Sequence, residues 1–159
     1  MVKILDLELS NLLILLCLYN HNLRKVKEND VIIMTKKILL VDDEPDITYT
    51  IQKILEDHGF KVDSFNDPIL VLNNYKAYFY DLVILDIKMP NMDGFELYLK
   101  IREMDPKVKI CFLTVIATFN EDFRKTRLAL GKTISEDYFI QKPVEMDDLL
   151  KKLTSIMNL

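Results

Sequence analysis

Only two cysteines and two histidines occur among the 159 residues, and no CxxC pair. That scarcity speaks against a zinc site, which needs clustered Cys and His ligands. Cys17 and Cys111 both lie in apolar runs and read as reduced, buried thiols of a cytosolic protein. Blocks of Lys and Arg are missing too, and the net charge is −4, so nothing in the composition supports nucleic-acid binding. The unbroken apolar run near the start, residues 12–19, is far shorter than the roughly 20 residues a bilayer-spanning helix needs. A signal peptide fits no better: Lys3 is offset by Asp6 and Glu8, and no small-residue cleavage site follows. Internal repeats and low-complexity tracts are absent.

What the chain has is a core. Half of its residues are hydrophobic and 29% are charged, which suits one soluble domain with an appendage. The first 33 residues carry four basic and four acidic side chains and are neutral, so the acidic excess lies in the remainder. Met34-Thr35-Lys36-Lys37 reads as a natural start, and residues 1–33 as an added helix or an upstream translation. We therefore divide the chain into an extension, 1–35, and a domain, 36–159.

From Lys37 onward, strand and helix patterns alternate five times. The strand Lys37-Ile38-Leu39-Leu40-Val41 ends in Asp42-Asp43. Leu82-Val83-Ile84-Leu85 ends in Asp86, Ile110-Cys111-Phe112-Leu113 in Thr114, and Tyr138-Phe139-Ile140-Gln141 in Lys142-Pro143. The second strand spans Lys61 to Phe65. Helices are expected from Pro45 to a stop at Gly59, from Asp67-Pro68 as N-cap and first turn, from Gly94 to Met104, from Thr118 with a capping box to Glu121, and through Leu149, Leu150, Leu153 and Ile156. The first, third and fourth strands are almost wholly apolar, as strands covered on both faces must be. Alternating βα units then predict a doubly wound α/β sheet of five parallel strands.

Parallel strands put their carboxyl ends on one rim, where open α/β sheets build their sites. Asp42 and Asp43 have a plain alternative role as helix-capping acids. Asp86 has less of one, since a carboxylate closing a run of four buried aliphatics is costly unless paired or ligated. Three acids, a hydroxyl and an amine at four strand ends describe Mg²⁺-assisted phosphoryl transfer. Clustered carboxylates and open water positions suit Mg²⁺, Lys142 offers positive charge, Thr114 a hydroxyl donor, and Asp86 is the nucleophile.

Residues 36–159 resemble a receiver domain of two-component response regulators, from Ile-Leu-Leu-Val-Asp-Asp-Glu through Asp-Ile-Lys-Met-Pro-Asn-Met-Asp-Gly to Gln-Lys-Pro. The resemblance implies a flavodoxin-like fold with strand order 2-1-3-4-5 and a cis Lys142-Pro143 bond. It implies that Asp86 is the phosphoacceptor, served by a histidine kinase or a histidine phosphotransfer protein. Asp43, Asp86 and the backbone carbonyl of Lys88 would bind Mg²⁺, with Asp42 acting through a water. Thr114 and Lys142 would contact the phosphoryl group, and Thr114 and Phe139 would form the switch. Phe139 also reads simply as a core ring.

The chain departs from the family at Val115, where a small alanine is usual, and in a longer Thr114–Lys142 segment with Ser135-Glu136 before the last strand. The expectation is a cytoplasmic stand-alone receiver that catalyses only its own phosphorylation and dephosphorylation. It would signal to a protein target through the face of its fourth helix, fifth strand and fifth helix, with a homodimer through that face admitted. A phosphate-independent, receiver-like interaction module is the alternative. An aspartate-nucleophile phosphatase ranks behind both, because Lys88 stands where such enzymes need a second aspartate.

Overall fold

A computed structural model describes residues 23–25, 32–115 and 134–158. The chain forms two compact units, 1–36 and 37–159. In the first, β1 (Leu23–Lys25) and β2 (Ile32–Met34) pair antiparallel, Arg24 opposite Ile33. This part of the expected added helix is therefore extended, in keeping with the β-branched Ile32-Ile33 pair; residues 1–22 lie outside the described residues.

The second unit is built on five parallel strands: β3 (Lys37–Val41), β4 (Lys61–Phe65), β5 (Leu82–Asp86), β6 (Lys109–Val115) and β7 (Phe139–Lys142). Their order is β4-β3-β5-β6-β7, which is the expected 2-1-3-4-5 arrangement. Among the described residues four helices accompany them: α1 (Pro45–Asp57), α2 (Pro68–Asn74), α3 (Gly94–Met104) and α4 (Met146–Met157). The helix expected from Thr118, with its Glu121 capping box, lies outside the described residues.

Strand periodicity sorts the core into two layers. Leu39, Val41, Val83, Leu85, Ile110, Phe112 and Phe139 face one side, where Val71 of α2 and Phe95, Leu97 and Ile101 of α3 cover them. Ile38, Leu40, Ile84, Cys111, Leu113 and Ile140 face the other, beneath Ile51 and Leu55 of α1 and Leu149, Leu153 and Ile156 of α4. Every residue of β5 is buried, as the centre of a doubly covered sheet requires. Leu99 of α3 lies on the opposite side from Leu97 and is exposed.

Local signals account for most boundaries. Asp67 caps α2 by accepting from the Ile69 N–H, with Pro68 opening the helix. Asp93 accepts from the N–H groups of Phe95 and Glu96, and Glu96 returns the bond to Asp93, which fixes the start of α3. Gly59, at φ 86°, stops α1. Two boundaries shift. Ser135 caps a 3₁₀ turn over Glu136–Tyr138, so the last strand begins at Phe139 rather than Tyr138 and holds Lys142 as its final residue. β6 continues through Thr114 to Val115, because both pair with β7, opposite Gln141 and Lys142.

Candidate functional site

The rim at the carboxyl ends of β3, β5, β6 and β7 gathers the expected side chains. Asp42 follows β3 directly, Asp86 closes β5, Thr114 lies one residue from the end of β6, and Lys142 closes β7. Carboxylate oxygens of Asp42, Asp43 and Asp86 all lie within 4.8 Å of one another. The Lys142 Nζ reaches between two of these acids, 2.7 Å from Asp42 Oδ2 and 2.9 Å from Asp86 Oδ1.

Burial sets the electrostatics. Asp42 is 0% exposed and Asp86 3%. Desolvation pushes the Asp86 carboxyl above its ordinary value, and the charges of Asp42 and Asp43 add to the shift while Lys142 opposes it. Burial likewise raises Asp42, against the Lys142 ammonium and the Glu44 N–H, which donates to Asp42 Oδ1 at 3.0 Å. For Lys142 burial alone would favour the neutral amine, but the two carboxylates outweigh it and raise its pKa.

This donor set fits a hard divalent cation. The oxygens are carboxylate, close together, and balanced by one ammonium against three acids. Asp42 Oδ2 is buried, and the Lys142 ammonium at 2.7 Å is its charged neighbour. Lys88 lies in the loop after β5 with its side chain exposed.

Thr114 is buried, and its Oγ1 donates to the Val115 carbonyl at 3.2 Å. Val115, by contrast, is 48% exposed at the end of β6. Phe139 belongs to the core, its ring stacked on Phe112 at 5.3 Å between centroids. Lys142-Pro143 is cis.

Several supporting residues carried no sequence signal. Asn66 donates from Nδ2 to the Asp42 carbonyl at 2.7 Å and to Thr48 Oγ1 at 2.9 Å, while the Asp42 N–H donates to the Phe65 carbonyl. These bonds tie the β3–α1 turn, and so the acids on it, to the end of β4. Gly94, marked in the sequence as the start of its helix and the end of the Asp-Ile-Lys-Met-Pro-Asn-Met-Asp-Gly run, supports the site as well. A Cβ there would sit 2.1 Å from the Asp86 carbonyl oxygen, so α3 approaches the end of β5 as only glycine permits. The Gly94 N–H donates to the Ile87 carbonyl at 2.9 Å across the same contact.

A doubly wound sheet of order 2-1-3-4-5, with three acids and a lysine at the carboxyl rim, defines a CheY-like, flavodoxin-like class of protein. Within that class the chain matches the response regulator receiver domain over residues 38–154. It belongs to that family and is a receiver domain of two-component systems.

Similar solved structures include the chemotaxis protein CheY4 of Vibrio cholerae, 29% identical, covering 77% of this chain and 98% of that one with a TM-score of 0.65. A CheY-like receiver domain protein of Methanospirillum hungatei is 31% identical, covering 78% and 94%, also at 0.65. Curated relatives include the sensor protein EvgS of Escherichia coli, 35% identical over 119 residues, 75% of this chain and 9% of that protein. The transcriptional regulatory protein DltR of Streptococcus agalactiae is 33% identical over 117 residues, 74% of this chain and 50% of that protein. The chain thus spans half or less of the length of these two curated relatives.

Proposed function

We propose that Asp86 accepts a phosphoryl group and that the loaded domain signals by a change of shape. The observation that carries this reading is the Lys142 ammonium standing between two buried carboxylates at the rim of a receiver fold. An Asp86 carboxylate oxygen attacks phosphorus as the bond to the donor breaks, the phosphorus–nitrogen bond of a phosphohistidine or the phosphorus–oxygen bond of acetyl phosphate. The donor leaves with the electron pair, and an acyl phosphate remains. Water attack on phosphorus later restores the carboxylate and releases inorganic phosphate. The chain promotes only these two reactions of its own.

Asp42, Asp43, Asp86 and the Lys88 carbonyl would hold Mg²⁺, which when bound offsets charge gathering on the phosphoryl oxygens. Lys142 follows that charge: its ammonium is already 2.9 Å from Asp86 Oδ1 and shifts onto a phosphoryl oxygen. Thr114 then turns its hydroxyl from the Val115 carbonyl toward the phosphoryl group. Phe139 repacks against Phe112 as the strand end adjusts; lacking a hydroxyl, it transmits a change of packing and no new hydrogen bond. The donor is a histidine kinase or histidine phosphotransfer protein, in line with the sensor proteins among the relatives. The output passes through the face carrying β7 and α4, to a protein target or a second copy.

Titration with beryllofluoride, which mimics an acyl phosphate, tests this reading. With Mg²⁺ present, the amide resonances of Asp86, Thr114 and Lys142 should shift together. Unchanged spectra at saturating reagent contradict it. Val115, half-exposed at the site, favours one alternative, an interaction module that works without phosphate. Under that alternative, Val115→Ala would leave the beryllofluoride response absent, whereas on our reading it strengthens the response.

A further inference from the structure

We propose that Glu44 holds Lys142 back and so sets how readily Asp86 takes a phosphoryl group; the inference rests on the phosphoacceptor reading. Glu44 is the N-cap of α1, a position that favours short side chains able to bond the first N–H groups of the helix. Its carboxylate makes no such bond. It reaches instead to Lys142 Nζ, 98 positions away, at 3.4 Å.

Three carboxylates therefore share one ammonium: Asp42 at 2.7 Å, Asp86 at 2.9 Å and Glu44 at 3.4 Å. The side chains of the first two are 0% and 5% exposed and fixed by their strand ends. That of Glu44 is 61% exposed, and its contact is the longest. Glu44 is thus the partner that Lys142 can release.

An incoming phosphoryl group is anionic and must take its share of the same ammonium. Glu44 competes for that charge and repels the newcomer. When the Asp86 oxygen attacks acetyl phosphate and acetate leaves with the electron pair of the broken phosphorus–oxygen bond, Glu44 neither gains nor loses a bond. It is a positioning residue acting through Lys142. The contact is exposed, so salt screens it.

The test compares the wild-type chain and Glu44→Gln in acetyl phosphate with constant Mg²⁺, following intact mass over time at two ionic strengths. At about 0.05 M salt the variant should gain the phosphoryl group roughly two- to fivefold faster, the range of an exposed ion pair. The gain should come mainly through a lower half-saturating donor concentration. Near 1 M salt, where the screening length is about 3 Å, the two rates should converge. A merely structural role would shift the unfolding midpoint and leave the salt dependence alike in both proteins. If the wild-type chain is phosphorylated and Glu44→Gln is equal or slower at low salt, the role of Glu44 is overturned and the phosphoacceptor reading stands. If neither protein gains mass at saturating donor, both fall together.

Discussion

Replacing Gly94 with alanine tests how the site is held. The new methyl carbon would lie 2.1 Å from the Asp86 carbonyl oxygen and 3.0 Å from both the Asp86 carbonyl carbon and Ile87 Cα. Carbon and oxygen tolerate about 3.3 Å, so the start of α3 must retreat by roughly 1 Å from the end of β5. Both partners are backbone, and no rotamer change relieves the clash. The retreat loosens Phe95, Leu97 and Ile101, which α3 packs on the sheet, and lengthens the bond from the Gly94 N–H to the Ile87 carbonyl. Overpacking of this kind costs about 1–3 kcal/mol. Reduced freedom of the unfolded chain returns about 0.4–1 kcal/mol. We expect a net loss of about 1–2 kcal/mol, or roughly 5 °C in Tm for a unit of this size. Urea unfolding followed by circular dichroism measures it, with the slope unchanged. A Gly94→Ala chain within about 0.5 kcal/mol of wild type would refute the close approach.

Gly59→Ala should cost about 1 kcal/mol by a different route: nothing lies within 4 Å of its Cβ, but φ is +86°, so only backbone strain acts. Equal stability in urea would contradict this. Asp105 is buried and accepts from the Tyr78 and Val108 N–H groups and the Tyr75 hydroxyl. Asp105→Ala should therefore cost about 3 kcal/mol, and a loss below about 1 kcal/mol would show these bonds idle. In metal-free buffer Asp86, whose carboxyl is raised from 3.8, favours folding most at low pH, and that contribution fades as pH rises through the raised value. The stability of Asp86→Asn minus that of wild type should thus increase from about pH 4 toward neutrality; a flat difference contradicts the shift. Mg²⁺ at a hundred times its Kd should stabilise the wild-type chain by about 2.7 kcal/mol, and Asp43→Asn should abolish the effect in thermal unfolding.

The sheet was legible because its central strands are nearly unbroken aliphatic runs, each closed by one or two polar residues. In a parallel sheet those endings must meet, which is why Asp42, Asp43, Asp86, Thr114 and Lys142 could be placed together from spacing alone. Asp67-Pro68 announced its helix through capping chemistry. Contacts across long sequence separations left no such trace. Glu44 meets Lys142 and Asn66 meets the Asp42 carbonyl only after the chain has folded. Asp105 before Pro106 reads as an ordinary helix ending, and nothing nearby in the chain marks it as buried. Leu99 shows its exposure in the sequence: two helical positions from both Leu97 and Ile101, it falls on the far side of α3. The extended pairing of residues 23–25 with 32–34 was hidden because three-residue strands are too short to show a period.

On the proposed function, phosphorylation falls on Asp86 alone. Intact-protein mass after incubation with acetyl phosphate and Mg²⁺ tests it most directly, beside Asp86→Asn and a sample without Mg²⁺. The wild-type chain should gain one phosphoryl group, and neither control any. An unchanged wild-type mass, or an adduct that survives Asp86→Asn, would contradict it.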